Sequence, residues 1–346
     1  MGGRTALTGP ASSRLPVWPP GLPRPERRDR WPAQRIAVGV GAPLLLLLAL
    51  GRADLTVYAA FGAFTGIYGR GEPLGERARH QALAGLLLVT CVGLGVLTAG
   101  SASPWTVMWV GALVAAFGAV LATVWHLRPA GSLFFVFAVG TVGALPHPAP
   151  LPLALAVSGG AAALSVALGA LGAWHSTRAR PHELAAPPPH DQQPSELMSA
   201  GLRFFVAVGL AGALGLLSGL GHVAWAMVSA AVPMTALNQR MRVQRSLHRV
   251  AGTALGLGLS AVLLWPTLPG WGTVLVVMVL QWLAELFVAR HYGLTMVFVT
   301  PLALLMNQLA HRVPPGELLL SRAAETVIGS LVGVLVVLAT RPRRER

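Results

Sequence analysis

Apolar residues gather into twelve runs separated by short polar or proline-rich connections: 36–51, 55–68, 82–99, 105–127, 132–145, 151–174, 202–221, 223–237, 250–265, 271–289, 294–310 and 323–340. Runs of this length and apolarity are read as membrane-spanning helices. The second, fifth and eighth fall short of the ~20 residues that a perpendicular span needs, so their flanks must extend them or neighbouring helices must shield them. The pattern predicts an all-α polytopic membrane protein of about 12 transmembrane helices.

The polar residues between the runs test this count. Numbering the connections alternately from a cytoplasmic N-terminus puts 23 of the 26 arginines inside and only Arg52, Arg312 and Arg322 outside. Cytoplasmic connections carry the positive excess in such proteins. One span more or fewer in the middle would move most of the downstream arginines to the wrong side. A multi-pass plasma (inner) membrane protein with cytoplasmic N- and C-termini is expected. Outer connections are rich in Pro and Trp, as in Trp265 to Trp271, and read as tight turns with interfacial anchors.

Composition agrees with this solvent. Hydrophobic residues make up 54% of the 346 and charged residues 11%, where a soluble domain carries roughly a quarter charged. The net charge of +14 comes entirely from arginines placed in short clusters between apolar runs, not on one folded polar face, which argues against a nucleic-acid partner. The single cysteine, Cys91, lies in an apolar run and excludes an intrachain disulfide. Residues 1–34 form a Pro- and Arg-rich stretch that reads as a disordered basic tail, and 341–346 form a second basic tail. Residues 176–200, with three consecutive prolines and no apolar period, read as a cytoplasmic linker between a first half, 35–175, and a second half, 201–340.

The halves resemble each other. A shift of 168 residues superposes Arg35 on Arg203, Arg77 on Arg245 and His80 on His248, and one gap brings Gly85 onto Gly252. Six helices per repeat is an even number, so the copies should be parallel, related by an axis along the membrane normal with a pathway between them.

In the second half, Trp225 in a short apolar run is followed by Pro233, Arg245, and then Arg249, Gly252, Thr253 and Gly256 in the pattern Arg-x-x-Gly-Thr-x-x-Gly. Tyr58, Phe61, Arg77, Gln81 and Gly85 are a fainter counterpart in the first half, where Leu86 replaces the threonine. These motifs resemble the fusaric acid resistance (FUSC) family of bacterial membrane proteins, which is distantly similar to plant aluminium-activated malate transporters. The resemblance implies export of aromatic carboxylic acids. Longer members carry sizeable cytoplasmic domains after each six-helix block, where this chain has only the linker and the short tail.

Ionisable groups inside spans are expensive, about 2.5–3.5 kcal/mol at the bilayer centre, and each invites a functional and a structural reading. Arg77, His80, Arg245 and Arg249 open the third span of each half, where they would attract an organic anion or serve as topology arginines; Tyr58 and Trp225 complete the candidate substrate site. Glu285 is a candidate proton carrier or an ion-pair partner of Arg290. His222 is a candidate proton-coupling group or a loop histidine, and Asp54 a coupling group or the cap of the second span. Arg322 and Glu325 read as a local salt bridge, and Gly252 with Gly256 as a close-packing face.

Only Asp29, Asp54 and Asp191 are aspartates, and the chain has no metalloprotease, phosphate-loop or ATP-binding motif, so no enzyme, metal or cofactor is expected. Ser158 followed by two glycines is better explained by helix packing than by nucleophilic catalysis. Without an ATP site, uphill export draws on an ion gradient, most simply protons. The expected partners are the lipid bilayer and small organic anions, with two fused halves as a monomer or within a homo-oligomer. A secondary exporter of aromatic or other organic acids leads; a passive organic-anion channel and a non-transporting membrane scaffold are the alternatives.

Overall fold

A computed structural model of the protein describes residues 27–101, 103–176, 193–219, 223–236, 239–310 and 312–340, and every regular element among them is helical. The first half contains α1 (Arg27–Ala49), α2 (Thr56–Ala63), α3 (Leu74–Ala99), α4 (Pro104–Val124), α5 (Leu133–Gly143) and α6 (Leu151–Ser176). The second contains α7 (Pro194–Leu217), α8 (Val223–Met234), α9 (Gln239–Leu264), α10 (Gly270–Phe287), α11 (Tyr292–Ala310) and α12 (Pro315–Ala339). Short 3-10 turns, Ala53–Leu55 and Phe64–Ile67, flank α2. Among the described residues nine helices are long and apolar enough to cross a membrane.

The three shorter ones are α5, α8 and α2 with its flanking turns, which correspond to the three runs too short in the sequence. Shielding, not extension, is how they are accommodated. All eight residues of α2 and every residue from Ala224 to Pro233 of α8 are buried. Exposed large apolar side chains such as Leu86, Phe117, Leu171, Leu210, Leu255, Leu275 and Leu331 stand on α1, α3, α4, α6, α7, α9, α10 and α12, with none on α2, α5, α8 or α11. Four inner helices are thus wrapped by eight that present an apolar surface to lipid. An inner helix meets no hydrocarbon and need not match its thickness.

Helix pairings in one half recur in the other. α3 packs on α5 and α6 as α9 packs on α11 and α12; α2 lies on α6 as α8 lies on α12; α1 touches α2 and α6 as α7 touches α8 and α12. Between the halves, α4 meets α7 and α10 meets α1. Glycines set the closest approaches. A Cβ at Gly252 would collide with the Gly293 carbonyl, one at Gly256 with Thr300, and one at Gly329 with the Ala226 carbonyl. The small face expected at Gly252 and Gly256 is therefore the contact between α9 and α11.

Five helices begin eight or more residues before their apolar runs, α3 at Leu74, α9 at Gln239 and α12 at Pro315 among them. α1 starts at Arg27, inside the stretch expected to be a tail, and α7 starts at Pro194, inside the expected linker. Apolar patterning begins only where lipid or core begins, whereas these helices continue for two turns or so into polar surroundings, with Asp29 tied to Arg290 and proline at the first helical position of α7. Residues 177–192 of the linker, 1–26 of the first tail and 341–346 of the second lie outside the described residues.

Candidate functional site

Because α8 is short and buried, side chains from the longer helices around it converge on it. Arg249 lies ten residues into α9, about 15 Å from its start, and is 2% exposed. Its Nε donates to Ser229 Oγ at 2.9 Å and its Nη1 to Tyr292 Oη at 3.2 Å, with Met296 Sδ at 3.4 Å. Arg322 arrives from the opposite end on α12, is 3% exposed, and holds its guanidinium over the Trp225 ring, 5.0 Å from the centroid. Ser229 donates to the Trp225 carbonyl at 2.6 Å, so the two arginines rest on successive turns of α8, within electrostatic reach of each other.

Like charges held this deep need compensation, and it is incomplete. Arg322 makes no ion pair with Glu325, one turn along its own helix, which corrects the local salt bridge expected from their spacing. Its Nε is buried without a hydrogen-bond partner, as are Thr326 Oγ1 and Ser330 Oγ, four and eight residues further along the same face of α12, and Thr253 Oγ1 on α9. Each such group costs about 1–3 kcal/mol. Together they make a polar stripe inside the second half. Aromatic rings, hydroxyl groups and two guanidinium groups are the functional groups that bind a carboxylate carried on a flat body.

Arg245 borders this cluster. It donates to Thr235 Oγ1 at 2.6 Å and stands 5.9 Å above the Tyr292 ring. The first-half candidates do not join it. Arg77 donates to the Gly169 and Glu72 carbonyls at 3.1 and 2.6 Å, His80 Nδ1 meets Glu72 Oε2 at 2.6 Å, and Tyr58 Oη accepts from the Ala149 amide at 2.8 Å. Gln81, at the position that the 168-residue shift pairs with Arg249, donates to the Tyr68 carbonyl at 3.2 Å. Ser158 donates to the Ala154 carbonyl within α6, as a packed helix residue does.

The half that holds this cluster is also the one that a family model matches. The model of the fusaric acid resistance protein-like family matches residues 210–336. Over that stretch the second half resembles the family. That segment takes in Trp225, Arg249, Tyr292, Arg322 and the stripe on α12, and the resemblance read from the motif around Arg249 holds over it. The chain is also similar to the uncharacterized membrane protein YvaC of Bacillus subtilis (strain 168), 26% identical over 142 residues, which is 41% of this chain and 22% of that protein. The chain therefore spans about a fifth of its relative's length. No solved structure matches it.

The expected coupling groups fall elsewhere. Glu285 is buried near the end of α10 and takes Arg70 Nη1 at 3.0 Å and Gln281 Nε2 at 3.2 Å. Its expected partner Arg290 instead pairs with Asp29 at 2.8 Å. A helix continuing past Glu285 turns Arg290 away from it, and Arg70 reaches it from the turn between α2 and α3. Asp54 caps nothing: it forms an exposed pair with Arg52 at 2.8 and 3.0 Å, and that bond holds its carboxyl below the usual carboxylate range. His222 lies outside the described residues. Nothing in the pattern of the sequence marks Tyr292 or Ser229 as a site residue, and Arg322 reads there as half of a local pair. For Arg322 there was a signal, its standing as one of three arginines on the wrong side of the inside-positive pattern.

Proposed function

We propose that this protein is a secondary exporter of small organic acids, aromatic ones included, in which the second half holds the anion. The observation that carries this reading is the pair of buried guanidiniums of Arg249 and Arg322 about Trp225, inside the segment matched by the fusaric acid resistance protein-like family. An anion crossing a bilayer needs a fixed positive charge, because unpaired charge in hydrocarbon is excluded, and arginine keeps its charge when buried. Arg322, lacking a full set of hydrogen bonds, would grip the carboxylate. Trp225 and Tyr292 flank the flat body, and the hydroxyls of Thr326 and Ser330 continue the route along α12. Arg245 recruits the anion toward Arg249. The four inner helices, two from each half in a repeat related by an axis along the membrane normal, enclose the path.

Glu285 is the coupling group of this reading, a buried carboxyl shared by Arg70 and Gln281. A proton on it would release Arg70 and link the gradient to movement of the halves. Both ends of the chain lie in the cytoplasm and arginine-rich connections face the same side.

Inside-out vesicles containing the protein test this with a panel of aromatic carboxylates. Accumulation is expected, collapsing with a protonophore, and Arg322→Gln should abolish it. Equilibration that ignores the protonophore would mean a channel; no protein-dependent flux would overturn the transport reading.

A further inference from the structure

The two halves meet along two main seams of opposite character. At α4 against α7, small residues interdigitate: Gly201 lies against Val120, Gly209 against Ala112 and Gly212 against Met108, and Trp109 stacks on Phe205 at 6.1 Å. Among the described residues no ion pair crosses this seam. At α1 against α10, the arginine-rich end is closed by charge. Arg290 donates to Asp29 Oδ2 from Nη2 at 2.8 Å and from Nε at 3.2 Å. Arg70 donates to Glu285 Oε2 at 3.0 Å and to its carbonyl, and lies 3.4 Å from the Asp29 carbonyl. Two first-half elements, α1 and the turn before α3, are thereby tied to the end of α10. Arg35, nearly two turns further along α1 than Asp29, stands within electrostatic reach of both Arg70 and Glu285.

Beside these bonds a shallow open groove of about 250 Å³ lies along the outer side of the seam, lined by Gln34, Ala37, Val38, Met278, Val279 and Trp282, and Trp282 Nε1 is buried without a partner; further along, Met278 packs directly on Gly41. Separating α4 from α7 would strip close apolar contacts along their length. Separating α1 from α10 breaks apolar contacts too, such as Met278 on Gly41, but it also exchanges hydrogen-bonded ion pairs for water at the end of the bundle, where α4–α7 has none among the described residues. Discrete bonds of that kind have two states, made and broken, as a gate requires.

We propose that Asp29, Arg70, Glu285 and Arg290 form a latch, and that the α1–α10 seam, not α4–α7, is the one that parts when the halves move. The purpose of that movement rests on the transport reading; the latch is testable without it. Ala33 is fully buried in this seam against Leu286 and Phe287. In the full-length protein with Cys91→Ser, purified in detergent, the reaction of Ala33→Cys with a polar maleimide reports parting.

Labelling is expected to be slow with the latch intact and about tenfold faster with Asp29→Asn or Arg290→Gln, the effect of losing roughly one ion pair's worth of closure. It should slow again in the exchanged pair Asp29→Arg with Arg290→Asp. A second reporter, Ala112→Cys, fully buried in the α4–α7 seam, should stay slow throughout. The latch is overturned if the single variants label no faster, if the exchanged pair labels as fast as they do, or if Ala112→Cys accelerates in step, since that would be general loosening. Failure of the transport reading would leave every one of these rates unchanged.

Discussion

Arg322 shows how much one side chain depends on where its helix is placed. With a carboxylate one turn away it had every sequence-level reason to form a surface pair, yet it lies under α8 with its guanidinium on Trp225. Removing its charge while keeping length and polarity isolates its role: Arg322→Gln should keep the fold and weaken binding of an aromatic carboxylate by at least tenfold, measured by titration calorimetry, since a charge-assisted hydrogen bond contributes about 1.5–3 kcal/mol. Arg77 should behave in the opposite way. Its guanidinium satisfies the carbonyls of Gly169 and Glu72, so Arg77→Ala strands them and should lower stability by about 1–3 kcal/mol, seen as an earlier thermal transition in detergent. Arg52 and Asp54 form a third case. Their pair is exposed, so Arg52→Ala should leave the transition where it is. The Asp54 carboxyl is held below its ordinary range by Arg52. Whatever the pair contributes is therefore present at neutral pH and disappears only as pH falls through that lowered value.

Helices in this molecule have two design solutions. Outer ones are long and carry Leu, Val, Trp and Phe on the face away from the bundle, while of the inner ones α2 and α8 are short, rich in small residues and buried almost throughout. Close contact between the two kinds is bought with glycine. Gly329 puts α12 directly on the α8 backbone, where a Cβ would overlap the Ala226 carbonyl and crowd Ser229. Gly329→Val should therefore push α12 off α8, cost at least about 1–3 kcal/mol in thermal stability, and loosen the contact of Arg322 with Trp225, which the quenching of Trp225 fluorescence would report. Gly258, with open space around it, is the control: Gly258→Ala should be neutral or slightly stabilising, because alanine is the better helix former.

At the scale of the whole molecule, recurrence of the helix pairings and the difference between the two seams matter more than any one contact. The repeated pairings give two comparable half-bundles, and both hold buried arginines, Arg35 and Arg77 in the first and Arg249 and Arg322 in the second; on the proposed reading it is the pair about α8 that holds the anion. Gln81 stands at the register of Arg249, and among the described residues the guanidiniums set over aromatic rings, those of Arg245 and Arg322, are in the second half. A protein that transports through this asymmetric interior should not need its basic ends. Deleting residues 1–26 and 341–346 should leave vesicle accumulation of aromatic carboxylates largely intact, whereas a scaffold that recruits partners through those ends would lose its function.

The sequence by itself determined the solvent, the helices and their count, because burying a polypeptide in hydrocarbon permits few alternatives: runs of apolar residues, arginines sorted to one side, short proline-rich turns. It singled out α2, α5 and α8 as too short, and the Arg249 motif as the part resembling a known family. It singled out Arg249 and Trp225 without revealing that Ser229, one turn after Trp225, holds the Arg249 guanidinium. Only the tertiary structure decided which helices lie inside, that Arg322 reaches Trp225 in place of pairing with Glu325, and that Glu285 is held by Arg70, a residue 215 positions away. Hydrophobic patterning records how a residue is solvated, and that is local to each helix. The partner of a buried charge depends on how helices distant in sequence are rotated and stacked against one another, and no periodicity along the chain encodes that.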